Sequence, residues 1–159
     1  MSFKIKGFFC VLIVVVGVIL SASIARADVV ANRIVISQVQ VTGGDGKTGE
    51  DFVEIFNPGE QSVLLQGFKL VKRTAASTSR ETVLYEWKNN EEILPKHFYL
   101  LTSLVFSSSV IPDVSTSTIS IADHNGIAIY DNNNLMLDNL AWGNVENGFF
   151  VATTTLIKA

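Results

Sequence analysis

From residue 33 onward the apolar positions recur with a spacing of two, in short runs broken about every 8 to 15 residues by clusters of Gly, Asn, Pro, Ser or Asp. Alternation of this kind sends successive side chains to opposite faces of a strand, and no stretch keeps the longer period of a helix with one buried face. The pattern predicts strands over Ile34–Val41, Phe52–Asn57, Ser62–Gln66, Phe68–Arg73, Val83–Trp87, Phe98–Thr102, Ile119–Ala122, Gly126–Asp131 and Leu137–Trp142, with Phe149–Ala152 as a further edge strand. Many short strands in a domain-sized chain predict an antiparallel β-sandwich. Gly43-Gly44-Asp45-Gly46, Asn57-Pro58-Gly59-Glu60 and Asp131-Asn132-Asn133-Asn134 are predicted turns, because Gly, Asn and Asp tolerate left-handed backbone and Pro interrupts a ladder. Ser103–Thr118 is a long connection rich in Ser and Thr whose course the pattern does not predict.

Strand parity also interprets the acidic stretch Glu50-Asp51-Phe52-Val53-Glu54-Ile55. Val53 and Ile55 point to one face, and Phe52, Glu54 and Phe56 to the other. Along Phe68–Arg73, Phe68 and Leu70 share a face opposite Lys69, Val71 and Arg73. If the two strands pair, Glu54 meets Lys69 or Arg73, a contact of about 0.2 to 1 kcal/mol that would help fix the register.

The beginning of the chain changes the picture of where it works. Lys4 and Lys6 precede an uncharged apolar run over Gly7–Leu20, and Ala25-Arg26-Ala27 offers small residues where a signal peptidase reads. Residues 1–27 read as a hydrophobic signal helix, with an uncleaved anchor over 7–24 as the alternative, since that run approaches the roughly 18 to 20 residues that span a bilayer. Cleavage before Asp28 leaves a short linker, 28–32, a domain over 33–144, and an edge strand or tail over 145–159. It removes three cations and no acid, taking the formal net charge from −3 to −6. An acidic surface argues against nucleic acid as a partner. The one cysteine, Cys10, leaves with the signal, so no disulfide framework supports the domain.

In chain order, "RIVISQVQV", a Gly-rich loop, "DFVEIFNPG", "SVLLQGFKLVKR", "LYEW", "LPKHFYLL", "NGIAIYDNN" and "LMLDNLAWGN" resemble the lamin-tail domain over Arg33–Asn144. The most specific parts are Val53-Glu54-Ile55 running into Asn57-Pro58, Leu65 followed by Gly67-Phe68-Lys69-Leu70, and Asp138 followed by Ala141-Trp142-Gly143. The resemblance implies an immunoglobulin-like antiparallel β-sandwich and, in the secreted bacterial type, a non-catalytic module for interaction or surface attachment. Phe68 departs from a frequent Trp, and the Asp131–Asn134 turn lacks a frequent Gly. No coiled-coil rod precedes the domain, so filament formation is not expected.

The resemblance carries over no catalytic residues, and the chain adds little of its own. His97 and His124 have no metal-ligand spacing and read as turn residues, and no nucleophile elbow or phosphate loop occurs. No catalytic residue, no cofactor and no assigned metal site is therefore expected. Calcium is the best version of a metal reading, with Asp45, Glu50 and Asp51 as hard oxygen donors on the Gly-rich loop, although their spacing is not that of a twelve-residue calcium loop and Lys47 falls among them. Trp87 and Trp142 read as core residues with hydrogen-bonded ring nitrogens. The alternative is an exposed aromatic platform for polysaccharide made by Tyr85, Trp87, Phe98 and Tyr99.

Together these readings predict an exported extracellular or cell-envelope module that binds a protein or envelope component, and that touches a membrane only through its N-terminal segment if that stays uncleaved. An accessory carbohydrate- or calcium-binding domain beside a secreted hydrolase is the second expectation. Neither the ligand nor the oligomeric state follows from the sequence.

Overall fold

Residues 33–150 are described by a computed structural model; the expected signal 1–27, the expected linker 28–32 and residues 151–159 lie outside the described residues. Ten strands form among the described residues: β1 (Val35–Gln40), β2 (Phe52–Phe56), β3 (Val63–Leu64), β4 (Lys69–Thr74), β5 (Thr82–Glu86), β6 (Glu92–Ile93), β7 (Phe98–Thr102), β8 (Val114–Ser115), β9 (Asn125–Tyr130) and β10 (Met136–Ala141). No helix occurs among the described residues, so the domain is all-β as the alternation predicts. The strands build two four-stranded sheets, ordered β1-β2-β7-β8 and β10-β9-β4-β5, and a short β3-β6 pair.

Both large sheets line one apolar core. Val53, Ile55, Tyr99 and Leu101 enter it from the first sheet, and Leu70, Leu84, Ile127 and Ile129 from the second. Trp87, Trp142, Leu65, Ile93, Ile119 and Ile121 also belong to it, and Ile34, Val63 and Phe68 complete it. Val53 and Ile55 are fully buried, each contributing about 2 kcal/mol through removal of its side chain from water. The shared face predicted for them is the one turned to the core.

The expected pairing of Glu54 with Lys69 or Arg73 is corrected. β2 lies between β1 and β7, and β4 between β9 and β5, so the two strands belong to different sheets. Both send their apolar residues into the shared core, which leaves the alternate polar residues facing away from one another. Glu54 instead accepts a hydrogen bond from the Ser37 hydroxyl. Lys69 stands opposite Glu86 on β5 and Tyr130 on β9, and Arg73 joins Glu81 at 2.7 Å.

Further differences have local causes. Ile119–Ala122 is not a strand, although Ile119 and Ile121 are buried as alternation requires. The Ile121 amide donates to the Asp51 carboxylate at 2.9 Å and the Ile119 amide to the Thr116 carbonyl, which leaves no ladder to join. β6 and β8 are too short to show a period. β8 pairs parallel with β7, Leu101 opposite Val114 and Thr102 opposite Ser115, so the first sheet is not wholly antiparallel. Phe149 and Phe150 form a strap rather than a strand; Ala152 lies outside the described residues.

The sequence signatures explain themselves as joints. Asn57 is fully buried, and its amide donates to the carbonyls of Gln61, Ile93 and Leu94 at 2.8, 3.0 and 3.2 Å while its side-chain oxygen accepts from Gly59 N–H at 2.9 Å. It ties the end of β2 to the β3-β6 pair. The adjoining Pro58 carbonyl accepts from the Lys96 ammonium. Asp138 joins the two sheets: one carboxylate oxygen accepts from Ile36 N–H on β1 at 2.8 Å and the other from Asn139 N–H at 2.9 Å. A bulge falls beside the contact in each strand, between Ile36 and Gln38 and between Met136 and Asp138. Gly143 adopts φ +74°, and a side chain there would overlap the Asp123 carbonyl and the His124 ring. Gly67, at φ +83°, passes so close to Asn132 that a Cβ would sit 2.9 Å from its Cβ. Phe68 and Leu70 are buried beside it.

Candidate functional site

The outward face of the first sheet carries the polar half of the β2 alternation. Phe52, Glu54 and Phe56 stand opposite Thr102, Leu100 and Phe98 of β7, and Gln40 and Gln38 of β1 flank Phe52 and Glu54. Two loops rise over one end of this face. The Gly-rich loop is closed by Gly43 N–H to the Lys47 carbonyl at 2.9 Å and Glu50 N–H to the same carbonyl at 3.0 Å. The Ser-rich loop is seated on it, the Ser103 hydroxyl donating to the Gly49 carbonyl at 2.6 Å and the Ser107 hydroxyl to Glu50 at 2.6 Å. The Phe52 and Phe106 rings meet edge to face at 5.7 Å.

Between loops and sheet lies a cleft of about 350 Å³, with Gln38, Gln40, Glu50, Glu54, Phe106 and Ser107 among its lining. The Glu50 carboxylate is held below its ordinary pKa by the Ser107 hydroxyl and then by the Lys47 ammonium, against the burial that pushes it up. At the other end of the face the exposed Phe98 ring packs on Phe56 with centroids 4.6 Å apart. Leu104, Val105, Val110 and Ile111 on the Ser-rich loop are all exposed, Ile111 by 90%.

The calcium donors are not brought together. Asp45 is exposed at the loop tip, whereas Asp51 is 4% exposed and commits one oxygen to Thr42 N–H at 3.1 Å and the other to Ile121 N–H at 2.9 Å. Glu50 is engaged by Ser107 and by Lys47 at 3.4 Å. Among the described residues no group of three or more His, Cys, Asp or Glu side chains is placed to hold a metal ion. Asp51 works as a joint, since its carbonyl also accepts from Ser103 N–H at 2.9 Å.

The four-residue aromatic platform is corrected. Trp87 and Tyr99 are buried in the core, Tyr85 is half-buried, and of the four only Phe98 is exposed. The reason is parity: Tyr99 lies on the inward face of β7 with Leu101, and Phe98 on the outward face. Tyr85, Trp87 and Tyr99 form an edge-to-face stack, with centroids at 5.0 and 5.8 Å. Burial, helped by the Glu91 carboxylate to which its hydroxyl donates, pushes the Tyr99 phenol well up. The expected tryptophan hydrogen bonds hold for Trp142, whose ring N–H donates to the Ala122 carbonyl at 2.8 Å. The Trp87 ring nitrogen has no partner among the described residues.

Both histidines sit in turns. His97 Nδ1 lies 2.7 Å from the Pro95 carbonyl, and His124 Nδ1 accepts from Asn144 N–H at 3.0 Å. Neither lines the cleft. Sequence reasoning missed Gln38, Gln40, Phe106 and Ser107. The glutamines were readable from β1 parity, which places both beside Glu54 and Phe52, but Phe106 and Ser107 lie in the connection without a period.

Compared with known proteins, the chain matches no family model and no curated sequence at a significant level.

Proposed function

We propose that this chain is a non-catalytic, lamin-tail-like interaction module with an immunoglobulin-like arrangement of its two sheets, exported to the cell envelope or beyond. It binds a protein or envelope component through the outward face of β1, β2 and β7 and the Ser-rich loop above it. One observation carries the reading: Leu104, Val105, Val110 and Ile111 are left in water on a single loop beside the cleft. Aliphatic side chains concentrated in this way are a cost to a free domain and a gain once covered. The cleft's carboxylates are bonded to Ser107, Lys47 and Ser37, an arrangement that positions loops rather than moving protons.

A carbohydrate chain is the second reading. The amides of Gln38 and Gln40 and the hydroxyls of Ser107 and Ser108 beside the Phe52 and Phe106 rings favour it, since sugars are held by polar groups around an aromatic face. Immobilised protein beginning at Asp28 is exposed to an envelope extract in three arms: untreated, protease-treated and periodate-oxidised. Loss of capture in the protease arm alone supports a protein partner; loss in the periodate arm alone transfers the proposal to a glycan. Absence of capture in all three rejects both.

A further inference from the structure

The outward face of the second sheet is covered by the chain itself. After Gly143, the Asn144 N–H is fixed by His124, and Val145–Phe150 then crosses the sheet. Phe149 is seated among Val71, Ala128 and Ala141, a cluster separate from the main core. The seat is cut to fit a ring: a Cβ on Gly126 would stand 2.8 Å from the Phe149 ring. The Arg73 guanidinium lies over the ring at 4.1 Å from its centroid and donates to the Asn147 carbonyl at 3.0 Å. Arg73 is itself fixed by Glu81, which also accepts from the Tyr130 hydroxyl at 2.8 Å. Three backbone groups fasten the strap: Glu146 N–H to the Ala75 carbonyl at 2.8 Å, Phe150 N–H to the Asn139 side chain at 2.6 Å, and Ala141 N–H to the Phe150 carbonyl at 2.7 Å.

We infer that this seat is a peptide-binding socket, filled in the isolated chain by its own strap and able to take the same strap from a second copy of the chain. Three features point there. The strap's apolar anchor belongs to its own small cluster, so release opens that cluster and leaves the main core closed. The Asn147 side-chain nitrogen is buried without a partner among the described residues, a desolvation cost that falls on the seated state and favours release. The fixed Gly143-Asn144 joint gives a definite pivot, so exchange conserves every contact of the strap and its balance is set by concentration.

The test uses the full chain carrying Phe149→Ala and a labelled peptide of residues 145–150, followed by fluorescence anisotropy. The variant, whose own strap no longer plugs the socket, is expected to bind the peptide about tenfold or more tighter than the native chain. A peptide carrying the same Phe149→Ala change is expected to lose about a hundredfold in affinity. Native chain at rising concentration is expected to give a dimer in light scattering that excess peptide dissolves. A variant that keeps native tryptophan emission yet binds neither peptide, or binds both alike, overturns the socket; a native chain monomeric at every concentration overturns exchange between copies. If the variant does not fold, hydrogen exchange in the native chain decides. The Glu146 and Phe150 amides should exchange about a hundredfold faster than those of Ile55 and Ile129, and equal protection overturns the detachable strap.

Discussion

Asn57 and Gly143 show how single residues hold this fold. Replacing Asn57 by Ala leaves the carbonyls of Gln61, Ile93 and Leu94 facing an empty site, and should cost about 3 kcal/mol in urea unfolding. Gly143 can be separated into two effects by comparison with Gly46. Both have positive φ, but a Cβ at Gly46 meets nothing within 4 Å, whereas one at Gly143 strikes the Asp123 carbonyl and His124. Gly46→Ala should therefore cost about 1 kcal/mol from backbone strain alone, and Gly143→Ala clearly more, both read as shifts of the urea midpoint. Acid sensitivity belongs to this scale too. Asp131 is held below its ordinary pKa first by the Leu135 amide and also by that of Asn133, and Glu50 by Ser107 and Lys47. Both pKa values are depressed by folding, so their stabilisation is present above the unfolded-state value, near pH 4, and is lost as pH falls through the lower folded values. Glu50→Gln with Asp131→Asn should flatten the fall of melting temperature in that acid window and leave its neutral limb with a similar slope.

Between elements the decisive contacts are side chains that replace ladder bonds. Asp138 links β1 to β10 where both strands bulge, so Asp138→Ala should cost about 2 kcal/mol and raise exchange at the Ile36 amide before that at Ile55. Asp51 plays the same part for the loops around residues 42, 103 and 121. This is also why the strands were legible in the sequence and their partners were not. The alternation of Val53 and Ile55 reports which way a residue faces, and it did so correctly. It says nothing of which strand lies alongside, and so the Glu54 pairing with Lys69 or Arg73 was misplaced across two sheets. Ile119 and Ile121 repeat the lesson: their burial followed the pattern, while a carboxylate 70 residues away took the amide a ladder would have needed. The aromatic platform failed for the same reason, because Phe98 and Tyr99 are neighbours in sequence and opposite in parity.

For the whole molecule, two surfaces differ in kind. The outward face of the second sheet is occupied by the Phe149 strap, whereas that of the first leaves Phe98 and the Ser-rich loop in solvent. Parity put Glu54 on the face of β2 opposite Val53 and Ile55, where it was read as a register contact and not as part of a site; the cleft there depends on the seating of Ser107 on Glu50, a contact between residues 57 apart that no local pattern encodes. Because the Asp51 oxygens are already committed to amides, calcium or a chelator should leave the thermal midpoint unchanged; a rise with calcium would mean that the loop rearranges to free them. The interaction surface itself is tested by charge placed on it. Val110→Asp with Ile111→Asp puts two carboxylates on the exposed loop, and Leu135→Asp alters another exposed aliphatic, on the β9–β10 turn, as the control. Binding of these variants to the component captured from the envelope extract, measured beside their melting temperatures, is the most direct measurement. The account predicts that the loop variant loses binding by about tenfold or more at an unchanged melting temperature while the Leu135 variant binds like the native chain. Equal binding by all three would contradict it.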